Sequence, residues 1–200
     1  MLKVEGLSYR HTGRPWLFRN ITLNIAPGEI IGLYGKSGSG KTTLAQVIAN
    51  YLKPDEGTVR MDQQKLNSTR PFPVQLVWQH PEKAINPKWK MKKVLSEAGD
   101  VDPQILDALG IASSWMTRYP SELSGGELQR FCVARALGPH THYLIADEMT
   151  TMLDAITQAQ IWHTILDLAK KRSIGVLVIS HDQQLLERLC DCVIDFNQLH

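Results

Sequence analysis

The segment Gly35-Lys36-Ser37-Gly38-Ser39-Gly40-Lys41-Thr42 sets three glycines ahead of a lysine and a hydroxyl residue. A bound triphosphate needs many backbone N–H donors pointing one way, and a chain presents them only where Cβ atoms do not block the turn. Gly35, Gly38 and Gly40 supply that freedom, with Lys36, Ser37 and Ser39 between them. Lys41 is then placed to reach the β and γ phosphates, and the Thr42 hydroxyl to meet Mg²⁺. The helix expected to start there, running on through Thr43, adds its positive end. By itself this segment implies phosphate binding, of a triphosphate with Mg²⁺.

A second group of residues complements the first. Asp147 follows the apolar run Leu144-Ile145-Ala146, so its side chain is expected at the carboxyl edge of a sheet, beside the phosphate loop, as a ligand of Mg²⁺ directly or through water. Glu148 is the candidate to polarise the attacking water, because hydrolysis of a positioned triphosphate needs orientation and charge stabilisation rather than covalent chemistry. An isolated Asp-Glu pair would merely cap a strand. The phosphate loop upstream makes the catalytic reading the better one.

These groups need a frame. Residues 2–9 and 20–25 read as strands separated by a turn around Gly13-Arg14-Pro15, which predicts a small antiparallel sheet at the N-terminus. Residues 29–34 form a short apolar run leading into the glycine loop, as a buried parallel strand does. Leu44, Val47, Ile48 and Tyr51 recur at helical spacing over residues 41–52, and Lys53-Pro54-Asp55-Glu56-Gly57 stops that helix. Between residues 77 and 123 charges crowd, and Ile105, Leu106 and Leu109 repeat at helical spacing; this predicts a helical insert over about residues 80–123. Helices over 126–137 and 155–170, buried strands over 143–146 and 174–179, and a strand over 192–196 complete the pattern. The expected fold is α/β: one domain over residues 1–200, with a P-loop parallel-sheet core covered on both faces.

Bulk properties set the remaining bounds. A chain of 200 residues with 43% hydrophobic content builds its own core without disulfides. Basic residues exceed acidic ones by only two, so no global field marks a nucleic-acid or anionic-membrane binder. Cys132, Cys190 and Cys192 lack zinc-type spacing and read as reduced thiols of a cytosolic protein. No apolar run approaches the roughly 20 residues of a membrane span, so membrane association is expected through another chain.

Leu123-Ser124-Gly125-Gly126-Glu127-Leu128-Gln129-Arg130 resembles the signature segment of ATP-binding cassette (ABC) ATPases, and the resemblance covers essentially the whole chain. Physically, Ser124, Gly125 and Gly126 opening a helix, followed by Glu127, make a second anion site of exposed amides and a favourable dipole. The resemblance implies that Gln79 is the mobile glutamine sensing the γ-phosphate and Mg²⁺, that Asp154 crosses a dimer interface, that His181 braces the γ-phosphate and the Glu148 site, and that Tyr9 stacks on adenine. His11 and Trp16 lie near enough to compete with Tyr9. Met149 stands where the family usually has Pro, and Glu127 where it usually has Gln. The segments Gln79-His80-Pro81, Ile85-Asn86-Pro87-Lys88, Arg118-Tyr119-Pro120-Ser121-Glu122 and Gln158-Ala159-Gln160-Ile161 are similar to ATPases of the peptide and nickel importer group. That group usually continues beyond a position like His200, so functions of such a tail are expected to be missing.

The resemblance therefore implies an ATPase at the cytoplasmic face of the membrane, pairing with a second ATPase chain and with integral permease subunits, and acting indirectly with an extracellular solute-binding protein. A soluble ABC ATPase acting on ribosomes or DNA would bring paired domains, coiled coils or basic extensions. A small-molecule phosphotransferase would leave Ser124-Gly125-Gly126 and His181 unexplained. His140-x-His142 lacks further metal ligands. Trp115 and Trp162 read as packing residues, whereas Trp89 between Lys88 and Lys90 reads as an anchor for a partner helix.

Overall fold

The structure, a computed structural model, describes residues 1–62, 64–66 and 72–199. In chain order its elements are strands β1 (Leu2–Arg10), β2 (Trp16–Ile25) and β3 (Ile30–Tyr34), helix α1 (Lys41–Ile48), strands β4 (Glu56–Met61), β5 (Gln64–Lys65) and β6 (Val74–Val77), helices α2 (Met91–Leu95), α3 (Pro103–Ala108) and α4 (Gly125–Ala136), strand β7 (Tyr143–Asp147), helix α5 (Ala155–Arg172), strand β8 (Gly175–Ser180), helix α6 (Gln183–Leu189) and strand β9 (Cys192–Asp195). Two sheets result. The N-terminal one has the order β2-β1-β4-β5 and is antiparallel; the other has the order β6-β7-β8-β3-β9 and is parallel throughout.

Strand β2 begins at Trp16, earlier than expected, and runs through Asn20, which takes a φ of 53°. Asn20, which tolerates the left-handed region, marks an irregularity where the β1–β2 register shifts. Strand β4 was not anticipated: Glu56 and Gly57 end no helix but enter a strand pairing with β1, Leu2 opposite Met61. Gly57, at φ 86°, lies so close to the Gly6 carbonyl that a Cβ would overlap it. Helix α1 stops at Ile48 rather than Leu52, because Asn50 turns left-handed at φ 62°. Strand β6 and helix α6 were likewise unread, each being too short to show its period.

The parallel sheet divides the core. Ile31, Leu33, Ile145, Leu177 and Ile179 point to the layer formed by α1 and the N-terminal sheet. Leu144, Ala146, Val176 and Val178 point the other way, to α4, α5, α6 and the insert. Strands buried on both faces read as continuous apolar runs, which is why β7 and β8 were legible. Among the described residues of 80–123 only short helical pieces occur, the longest of them α3 with six residues. They have little ladder of their own and are held by packing of Met91, Val94, Ile105 and Leu109 on Leu128, Phe131 and Trp162.

Candidate functional site

Sheet register gathers the chemistry at one edge. Tyr34 pairs with Ser180, Asp147 with Ile179 and Val77 with Ala146. All four strands are parallel, so the glycine loop, Gln79, Glu148 and His181 leave the sheet at its shared carboxyl edge. Residues distant in sequence meet there because of that topology alone.

The loop 35–40 turns into α1 through Gly38 at φ 80° and Gly40 at φ 110°, and a Cβ at Gly40 would press on the Leu17 side chain 3.1 Å away. Leu17 was not anticipated; it closes the loop from the N-terminal sheet. Lys41 is 4% exposed, and its Nζ donates to the carbonyls of Gly35 at 2.7 Å and Lys36 at 2.8 Å. Burial pulls the Lys41 ammonium below the usual lysine range, while the Glu148 and Asp147 carboxylates pull it back up. Thr42 hydrogen-bonds the Asp147 carboxylate. Lys36, Ser37 and Gly38 are exposed along the loop, and Thr43 follows on α1.

Among the described residues three buried side-chain polar atoms have no hydrogen-bond partner: Ser39 Oγ, Asp147 Oδ1 and Gln129 Oε1. Two of them belong to this site, the first on the phosphate loop and the second on the carboxylate that Thr42 touches. Buried polar atoms are rarely left unpaired, so this pair marks a place built for a polar ligand. Burial raises the Asp147 carboxyl to about 6, with Thr42 and Lys41 opposing the rise and Glu148 adding to it. A raised folded-state value means that the stability contributed by this carboxyl is fully present below its ordinary 3.8 and is lost as pH rises through about 6. Asp147→Asn, free of metal and nucleotide, should therefore be more stable than the parent at pH 8 by about 1–2 kcal/mol, with the gain vanishing near pH 4. Thermal unfolding at the two pH values checks it.

Glu148 takes φ 45°, a conformation that costs a non-glycine residue about 1 kcal/mol and persists only where its surroundings hold it. Its N–H donates to the Ile179 carbonyl at 3.0 Å. Its Oε1 lies 3.1 Å from His181 Nδ1; the Glu148 side chain is 16% exposed and that of His181 57%. Glu148 and His181, expected at one site, are thus in contact. Gln79 donates its Nε2 to Thr151 Oγ1 at 3.3 Å, a partner for which the sequence carried no sign. Tyr9 lies half-buried with its ring stacked on Phe18 at 6.1 Å and edge-on to His11 at 5.3 Å.

The signature residues lie elsewhere. Ser124 caps α4: its Oγ accepts from Glu127 N–H at 3.3 Å, and Glu127 Oε2 accepts from Ser124 N–H at 2.7 Å. Glu127 in place of the usual Gln thus completes a capping box. Gly125 faces open space, and Gly126 abuts Leu153 and Thr157. Asp154 caps α5, accepting from Ile156 N–H at 3.0 Å and Thr157 N–H at 2.9 Å, and the Thr157 bond holds its carboxyl below the ordinary range. Met152 and Ile156 flank it, 66% and 82% exposed. Arg130, unassigned in sequence, ties this region together: it donates to the Leu109 carbonyl, to Gln160 Oε1 at 2.8 Å and to Thr157 Oγ1 at 3.3 Å. Within one chain, then, two groups form, the sheet edge and the Ser124–Asp154 face.

Trp89 is half-buried. Its ring packs on the core and carries Lys93 over its face at 4.2 Å. Trp162 donates to Thr150 Oγ1 at 3.1 Å, and Trp115 packs on Phe131. The three cysteines are free thiols, Cys132 and Cys190 pushed by burial up to about 12. No metal-type cluster occurs among the described residues.

The ABC transporter family matches residues 18–151. The chain is 33% identical over 192 residues to the nickel import ATP-binding protein NikE of Rhodospirillum rubrum, covering 86% of this chain and 69% of the relative. It is 30% identical over 192 residues to the oligopeptide transport ATP-binding protein OppF of Streptococcus mutans, covering 86% of this chain and 62% of that one, so it falls short of two thirds of the latter's length. In structure it is similar to a dimeric ATP-binding cassette in a post-hydrolysis state bound to ADP and Pi, with a TM-score of 0.83 at 25% identity over 98% of this chain and 94% of that one.

Proposed function

The chain belongs to the ABC transporter family, and we infer that it is the ATP-hydrolysing subunit of a membrane importer for peptide or for nickel or a metal chelate. The observation that carries the site is the pair of unpartnered buried atoms, Ser39 Oγ and Asp147 Oδ1, beside Lys41 and Thr42. The loop amides and Lys41 hold the triphosphate. The Thr42 hydroxyl and Asp147, with the Gln79 amide oxygen, fit Mg²⁺, which when bound supplies positive charge at the phosphate oxygens. Glu148 accepts the proton of the attacking water, and His181 keeps its carboxylate aimed. The product phosphate and ADP then leave.

Two chains are needed for a complete site. Gly126 abuts Leu153 and Thr157 and Gly125 faces open space, and Ser124 to Glu127 serve the ATP of a second ATPase chain set head to tail. Tyr9 contributes an aromatic edge for adenine. Among the described residues no helix is long and apolar enough to cross a membrane, and we place the chain at the cytoplasmic face, held by permease subunits, with a solute-binding protein acting through them. The domain is single, with 80–123 as its helical insert.

The test is purification of a tagged chain together with the membrane proteins of its source. An integral membrane subunit should co-purify, and MgATP should be hydrolysed without any small-molecule acceptor. A lone chain that passes phosphate to a small molecule overturns the reading.

A further inference from the structure

The contact between Gln79 and Glu148 is indirect. Gln79 Nε2 donates to Thr151 Oγ1 at 3.3 Å, and that same hydroxyl donates to the Glu148 carbonyl at 3.0 Å. The Thr151 N–H reaches the same carbonyl at 3.3 Å. Glu148 is the residue held at φ 45°, a conformation that relaxes unless neighbours hold both of its peptide groups. β8 holds the N–H side through Ile179. Thr151 holds the carbonyl side. Thr150 just before it is tied to buried Trp162, so the turn offers the hydroxyl from a fixed base.

We propose that Thr151 is a positioning residue for hydrolysis: its hydroxyl fixes the left-handed backbone of Glu148 and makes the aim of the Glu148 carboxylate depend on where Gln79 sits. The proposal rests on the reading of Glu148 as the base. A hydroxyl is what the arrangement requires, since one atom must accept from the Gln79 amide and donate to the carbonyl. Serine keeps both bonds. Valine keeps the shape and loses them. A turn residue with a purely structural role would show in stability and leave Gln79 uncoupled from it.

Phosphate release by the purified full chain tests this. Wild-type hydrolysis is the control: its absence would fault the site reading itself, not Thr151. Thr151→Val is expected to lower kcat about tenfold with KM for MgATP within about twofold, and Thr151→Ser to stay within about threefold of wild type. Thr151→Val combined with Gln79→Ala should be no slower than the slower single variant, because the second change removes a link already broken. Thr151 is exposed, so the fold should tolerate these changes; if Thr151→Val does not fold, Thr151→Ala takes its place under the same criteria. A wild-type kcat in the valine or alanine variant, no rescue by serine, or losses that multiply in the double variant would overturn the proposal.

Discussion

Glu148→Gln should bind MgATP normally and hydrolyse it at least about 100-fold more slowly than the parent. Glutamine has the same length and keeps a hydrogen-bonding oxygen near His181, so the geometry at 3.1 Å survives while the proton acceptor is lost. Lys41, Thr42 and Asp147 are untouched, and nucleotide affinity should therefore stay within about twofold. With hydrolysis blocked, the ATP-bound pair of chains should accumulate as a dimer on light scattering. Phosphate release at near-parental rate would remove Glu148 from the role of base.

Ser124→Arg should leave nucleotide binding by the single chain intact and abolish both ATP-driven dimerisation and hydrolysis. Lys41 is held in the phosphate loop by the Gly35 and Lys36 carbonyls, so the loop keeps its own contacts, whereas the Ser124 side chain caps α4. Arginine there removes the cap, at about 1 kcal/mol, and fills the space in which the second chain's γ-phosphate would sit. Lys41→Ala has the converse defect: it loses the charge facing the phosphates and keeps its Ser124 face. A heterodimer of the two variants has one composite site with both parts unmutated, built from the loop of the first chain and the signature of the second. Since neither variant should pair with itself under ATP and each heterodimer has one good site of two, the mixture should recover at most about half of the parental rate. Hydrolysis at parental rate by Ser124→Arg as a monomer would instead favour a phosphotransferase.

The division of labour between sequence and fold is visible in individual residues. Lys41, Asp147 and Glu148 were identifiable because each sits at a fixed offset from a locally encoded element: glycines that permit a turn, an apolar strand buried on both faces, a helix start. The signature was legible through its match to a known pattern, whereas the capping box that opens α4 went unread although its Ser-x-x-Glu spacing is local. Strand β4 escaped because its half-exposed residues show no clear alternation, and β5 because two residues carry no period at all. Helix α1 ended early because a single Asn can turn left-handed as readily as continue a helix.

What the chain order alone determined is the set of local devices: the phosphate loop, the carboxylates ending β7, and the cap that opens α4. What only the tertiary structure decided is which of them meet. Parallel register brings Gln79, Glu148 and His181 to one edge from positions up to 102 residues apart. Thr151 is an ordinary turn residue until that register sets Gln79 beside it, and Arg130 an ordinary helix residue until α3 and α5 close around it. Long-range hydrogen bonds of this kind leave no period or spacing in a sequence, because their partners are chosen by sheet order and packing rather than by neighbours along the chain.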